Sequence, residues 1–96
     1  MKRVPKEIDG ATVVMHTSMA GRHRATGNCK QIVDGMIMAR ASGLAICHYE
    51  GEDGFYLFGC DENWNAVTDT LHDTVEEAQA QAEFEYEGVS ATWKTL

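Results

Sequence analysis

The sequence predicts an α+β domain: an antiparallel, mainly meander sheet of four to six strands, with one C-terminal helix packed across one face. Three observations carry this expectation. Two apolar runs, Leu44 to Glu50 and Phe55 to Asp61, flank the glycine-bounded loop Gly51-Glu52-Asp53-Gly54, the pattern of a strand hairpin. Thr74 and Glu77 then form a capping box, after which Val75, Ala78, Ala82 and Tyr86 fall on one narrow helical stripe. Finally, a chain of 96 residues with one proline and no internal repeat builds a single domain.

Taken in order, residues 1–10 mix charge with Pro5 and end in Asp9-Gly10, which reads as a loose N-terminal arm closing in a turn. Residues 11–71 supply the sheet. Ala11 to Thr17 is β-branched enough for its first strand, with Val13 and Met15 on one face and Thr12, Val14 and His16 on the other. Ser18 to Asn28 has no usable period and reads as a loop. Lys30–Val33 and Met36–Ala39 flank Asp34-Gly35, a pair suited to a two-residue hairpin turn. Along Phe55–Phe58 both alternating faces are apolar, so this strand is expected to be covered on both sides, by the helix and by a second layer. Trp64 to Leu71 continues the meander. The helix spans 74–87 with Gly88 as its stop, and 88–96 form a tail anchored by Trp93.

The formal net charge is −7, and its distribution is uneven: residues 1–40 hold seven bases against three acids, whereas residues 41–96 hold one base against twelve acids. An acidic C-terminal half repels a polyanion, so no nucleic-acid partner is expected. No apolar run approaches the roughly 20 residues a membrane helix needs, so no membrane partner is expected, and with no signal-peptide pattern the expected address is cytoplasmic. Cys29, Cys47 and Cys60 are an odd number, widely spaced; they suggest neither a disulfide framework nor a zinc ribbon, and Cys47 and Cys60 read as buried thiols.

The run Leu44-Ala45-Ile46-Cys47, Gly54-Phe55-Tyr56-Leu57-Phe58-Gly59-Cys60-Asp61, Trp64, Thr68-Asp69-Thr70, Glu83-Phe84-Glu85-Tyr86 and Trp93 resembles small bacterial proteins grouped as uncharacterised domains. The resemblance covers about half the chain and implies a meander followed by a helix. It implies no activity.

Two kinds of function remain open at this stage. The first is a non-enzymatic oligomerisation or protein-binding module, expected from the two-sided aromatic strand and from Phe84, which falls opposite the buried helical stripe and so calls for a cover, either Trp93 or a second copy in a homodimer. The second is an anion-binding domain or small enzyme. Its ligand loop would be Arg22, His23 and Arg24 on a glycine-flexed backbone, able to donate to phosphate or carboxylate; His48, Asp69 and His72 would be its acid–base candidates. Each has a plainer alternative: a solvated loop paired with the acidic half, and an Asp69 that bonds local backbone amides. The basic loop matches neither a P-loop nor a dinucleotide fingerprint, and the histidines show no ligand spacing, so no metal and no cofactor is expected.

Overall fold

The computed structural model describes residues 2–18 and 41–96, and the backbone alone of the short strand pieces between them, at 24–25, 32–33 and 36–37. In chain order the elements are β1 (Glu7–Ile8), β2 (Ala11–Ser18), β3 (Arg24–Ala25), β4 (Ile32–Val33), β5 (Met36–Ile37), β6 (Gly43–His48), β7 (Phe55–Cys60), β8 (Ala66–His72), α1 (Val75–Glu85), β9 (Tyr86–Glu87), a single 3₁₀ turn (Val89–Ala91) and β10 (Lys94–Thr95). The main sheet runs β1-β2-β6-β7-β8, antiparallel throughout, with β10 also paired to β2. It is the expected α+β architecture with one helix across the sheet. β4 and β5 pair as Ile32 with Ile37 and Val33 with Met36, the hairpin read around Asp34-Gly35.

The N-terminal arm is tied down rather than loose. Asp9 and Gly10 both take positive φ, 51° and 81°, the pair of left-handed positions a type I′ turn requires, and this folds β1 back onto β2. Ile8 is buried there. Further out, the Lys2 amide donates to the Glu62 carbonyl at 3.3 Å, and the Lys2 carbonyl accepts from the Trp64 indole Nε1 at 2.7 Å. The charge of the arm concealed the apolar pair Val4 and Ile8, which is what holds it.

β2 carries a bulge between Val13 and Met15, where two residues of one strand face one on β6. Beyond it the alternation is inverted. Val13 packs with Cys47 on one face, Met15 moves to the face of α1, and His16 comes round to meet Trp64 edge-on at 6.1 Å. The expectation that Val13 and Met15 share a face fails for this reason, since a strict period of two cannot pass through an inserted residue.

The two faces of the sheet carry two cores. On the helix face, Leu44, Ile46 and Leu57 pack against Ala78, Ala82, Tyr86 and Val89, with Phe55, Val75 and Trp93 at the margin. Ala78 and Ala82 are fully buried, and their small side chains let the helix axis lie close to β7. On the arm face, Ile8, Ala11, Val13, Ala45, Cys47, Phe58, Cys60 and Trp64 form the second core. The second layer expected over β7 is therefore provided within the chain, by the curl of the sheet, the arm and Trp64.

Thr74 caps α1 by accepting from the Glu77 amide at 3.0 Å, and the Glu77 carboxylate reaches back one residue further than the standard box, to the Asp73 amide at 3.0 Å. The helix ends at Glu85 rather than Glu87. Tyr86 and Glu87 are extended and pair with Ala25 and Arg24, and Gly88, at φ 90°, opens the following 3₁₀ turn instead of closing the helix. The Glu83 carboxylate binds this turn through the amides of Gly88 and Ser90, at 2.8 and 3.0 Å.

Candidate functional site

On the arm face, toward the β8 edge, lies a cleft of about 440 Å³ lined by Asp9, Tyr49, Glu52, Tyr56, Phe58, Ala66, Val67, Thr68 and Asp69. Its position follows from local sequence. The β1–β2 turn projects Asp9 over one end, the Gly51–Gly54 loop brings in Glu52, and register places Phe58 beside Asp69 on the neighbouring strand. The floor is aromatic. Tyr49 meets Tyr56 edge-to-face at 5.4 Å, and Tyr56 stacks on Phe58 at 5.9 Å with 16° between the ring planes.

Tyr49 links two of the walls. Its hydroxyl donates to the Asp9 carbonyl at 3.0 Å, and its own carbonyl accepts from the Glu52 amide at 3.1 Å. Burial, then the Asp9 carboxylate, then Tyr56 and Glu52, hold its phenol above its ordinary ionisation range. Burial opposes a charge of either sign, but the Asp9 and Glu52 carboxylates that resist a phenolate favour a cation. Three carboxylates and no base stand among the described lining residues, and the π faces of the rings add to the attraction.

The sequence-derived candidates fall elsewhere, with one exception. His48 and His72 sit on the helix face in a single row across the sheet, separated by Phe55: the His48 and Phe55 rings are 5.2 Å apart, and Phe55 pairs in register with His72. His72 Nε2 and Thr70 Oγ1 share a hydrogen bond at 2.7 Å. Asp69 is three positions before His72 on a regular strand and so points to the opposite face, into the acidic cleft. The three are not assembled into one site. Arg22 and His23 lie outside the described residues; the backbone of Arg24 pairs with Glu87. Trp93 packs against the helix-face core, and its indole Nε1 is buried without a hydrogen-bond partner among the described residues. Phe84 is half exposed on the far side of the helix.

Of the cleft residues, sequence reasoning singled out Asp69 as a candidate and noted Tyr56 and Phe58 only as aromatics; Asp9, Tyr49 and Glu52 were missed as a group. The available signal was the hairpin itself. With Gly51–Gly54 as its loop, Tyr49 and Tyr56 must share a face, and that face ends at the acidic loop.

Other cavities are plainer. A groove of about 810 Å³ runs between the arm and the β10 tail, over His16 and Trp64, with Lys2, Arg3 and Lys6 on its rim. Among the described residues no group of three or more His, Cys, Asp or Glu is arranged to hold a metal ion, and no helix is long and apolar enough to cross a membrane. No family model matches this sequence, and no curated protein and no solved structure is similar enough to it to bear on the site.

Proposed function

We propose that this protein is a non-enzymatic protein-binding module whose acidic, aromatic-floored cleft takes a basic side chain of a protein partner. The observation that carries this is the joint placement of Asp9, Glu52 and Asp69 around Tyr49 and Tyr56. A lysine or arginine entering there meets carboxylates at its head, while its aliphatic stem covers ring surface. The cleft is shallow and polar, so recognition of one or two side chains in a transient complex suits it better than burial of a small apolar substrate.

The test is a titration with blocked tetralysine, followed by the amide and aromatic resonances of Tyr49 and Tyr56. Binding weakens as salt rises, and blocked tetraglutamate does not bind. Asp9→Asn, Glu52→Gln and Asp69→Asn each reduce the affinity by about two- to fivefold, the scale of a partly exposed charge pair. Equal binding of the two peptides, or indifference to all three substitutions, rejects the proposal.

A further inference from the structure

The cleft is bordered by β8, and β8 is an edge. Its inner side pairs with β7 from Ala66 to His72, and among the described residues no strand pairs with its outer side. Exposed edges are usually blunted by lysine, proline or extreme shortness, because a row of free amides and carbonyls invites another strand. β8 has none of these, though a register irregularity interrupts its pairing with β7 at the Ala66 end. It is seven residues long, reads Ala-Val-Thr-Asp-Thr-Leu-His, and carries two of the exposed large apolar side chains of the described surface, Val67 (37% exposed) and Leu71 (59%). Its single charge is Asp69, which faces the cleft.

That charge selects the occupant. If a second copy paired its own β8 here with full antiparallel overlap, Val67 would stand opposite Leu71 and Asp69 opposite Asp69. Directly opposed like charges destabilise a strand pair. A one-residue slip sets Asp69 against a threonine and a two-residue slip against Val67 or Leu71. His72 comes opposite it only after a slip of three, which leaves four residues paired, so no alignment that keeps most of β8 overlapped offers it a cation. An incoming strand with lysine or arginine at the opposed position does, and its flanking β-branched side chains meet Val67 and Leu71.

We infer that β8 is a strand-addition edge: an extended segment of a protein partner, basic at its centre and β-branched on either side, pairs with Ala66–His72 and lays its cation across Asp69 into the cleft. This rests on the reading of the cleft as a cation site and adds the backbone geometry of the complex. Main-chain hydrogen bonds supply the affinity and the single charged position supplies the selectivity.

The probe is a blocked seven-residue peptide of alternating threonine and valine with a central lysine, mixed with the full chain and followed by amide exchange at residues 66–72. Binding slows exchange at alternate β8 amides. N-methylating the peptide at one alternating set of amides abolishes binding, while methylating the other set leaves it within about threefold, because only one edge of an added strand faces β8. Replacing the central lysine by glutamate weakens binding by about tenfold, and Asp69→Lys reverses that preference. If the lysine peptide binds with the same charge dependence but neither methylation pattern matters, strand addition is wrong and the cation cleft stands. If charge has no effect, both fall. Failure of the peptide to bind, or a peptide-free dimer with protected β8 amides, overturns the inference as well, since the edge would then be closed or filled by its own kind.

Discussion

The position of β8 depends on Gly59, and substituting that residue gives a sharp test of the sheet. Gly59 is buried in β7 opposite Thr68, just before the irregularity that shifts the register to Cys60 and Ala66. Its φ lies outside the left-handed region, so alanine is allowed by the backbone, and only side-chain contact opposes it. A methyl group there would come within 3.0 Å of Thr68 Oγ1, while Thr68 Cβ and Ala41 Cβ, at 3.8 and 3.7 Å, would make ordinary contact. The clash is thus with one oxygen. Relieving it requires an off-rotamer Thr68 or a displaced β8, together about 2 kcal/mol on the scale of modest overpacking. Replacing glycine by alanine returns roughly 0.5–1 kcal/mol of chain entropy. Gly59→Ala is therefore expected to destabilise by about 1–1.5 kcal/mol, a fall in Tm of roughly 4–12 °C for a domain of this size. In a Thr68→Ala background the clash is gone and only the entropic gain remains, so the same substitution should stabilise by roughly 0.5 kcal/mol. Urea titrations of the four proteins in this cycle measure the coupling. A Gly59→Ala cost that is the same with and without Thr68 would refute the placement of β8 against β7.

Cys47 and Cys60 are buried, and that burial, reinforced for Cys47 by Asp9 and for Cys60 by Cys47 and Asp61, pushes each thiol up to about 12. In a Cys29→Ser protein, a disulfide reagent at pH 8 should therefore react only as fast as the chain unfolds, and a rapid stoichiometric burst would contradict both placements. The Asp61 carboxylate accepts from the Asn65 and Asn63 amides, each at 2.9 Å, and these bonds hold its pKa below the ordinary 3.8. A depressed acid contributes stability above its unfolded pKa and loses it as pH falls through the folded value, so Asp61→Asn should flatten the acid limb of the stability curve below about pH 4. An unchanged acid limb would mean these bonds are absent in solution. Ala82→Leu puts a branched side chain where the helix touches the sheet and should cost about 2–3 kcal/mol in urea unfolding, whereas Ala80→Leu on the exposed side should be nearly neutral.

The order of the elements was legible in the sequence wherever one physical signal dominated. The Gly51–Gly54 hairpin, the Thr74 cap and the alanine stripe are local patterns, and local patterns survive into the fold. What escaped was non-local. The bulge in β2 inverts the faces of Met15 and His16, and no feature of Val13-Val14-Met15 announces it, because it is set by pairing with a strand thirty residues away. Trp64 adopts φ 65°, a left-handed conformation costly for a bulky residue, and is held there by the Asp61 turn and by burial against the arm. A charged, proline-containing arm gave no hint that it would serve as a lid for that indole.

The same lesson applies to the site. The sequence splits charge by position along the chain, basic early and acidic late. In space, the early acid Asp9 joins the late acids Glu52 and Asp69, while the early bases Lys2, Arg3 and Lys6 border a different groove on the other side of the same face. The type I′ turn sets Asp9 at the tip of the β1–β2 hairpin, over the cleft, whereas Lys6 precedes β1 and lines the other groove. Among the described lining residues the cleft keeps an unneutralised negative field as a result. Its natural complement is a cation from outside, and removing the turn, by Gly10→Val at φ 81°, should weaken tetralysine binding more than Asp9→Asn does, because the former displaces Asp9 and the Tyr49 hydroxyl together. Equal effects from the two substitutions would show that the charge matters and the turn that places it does not.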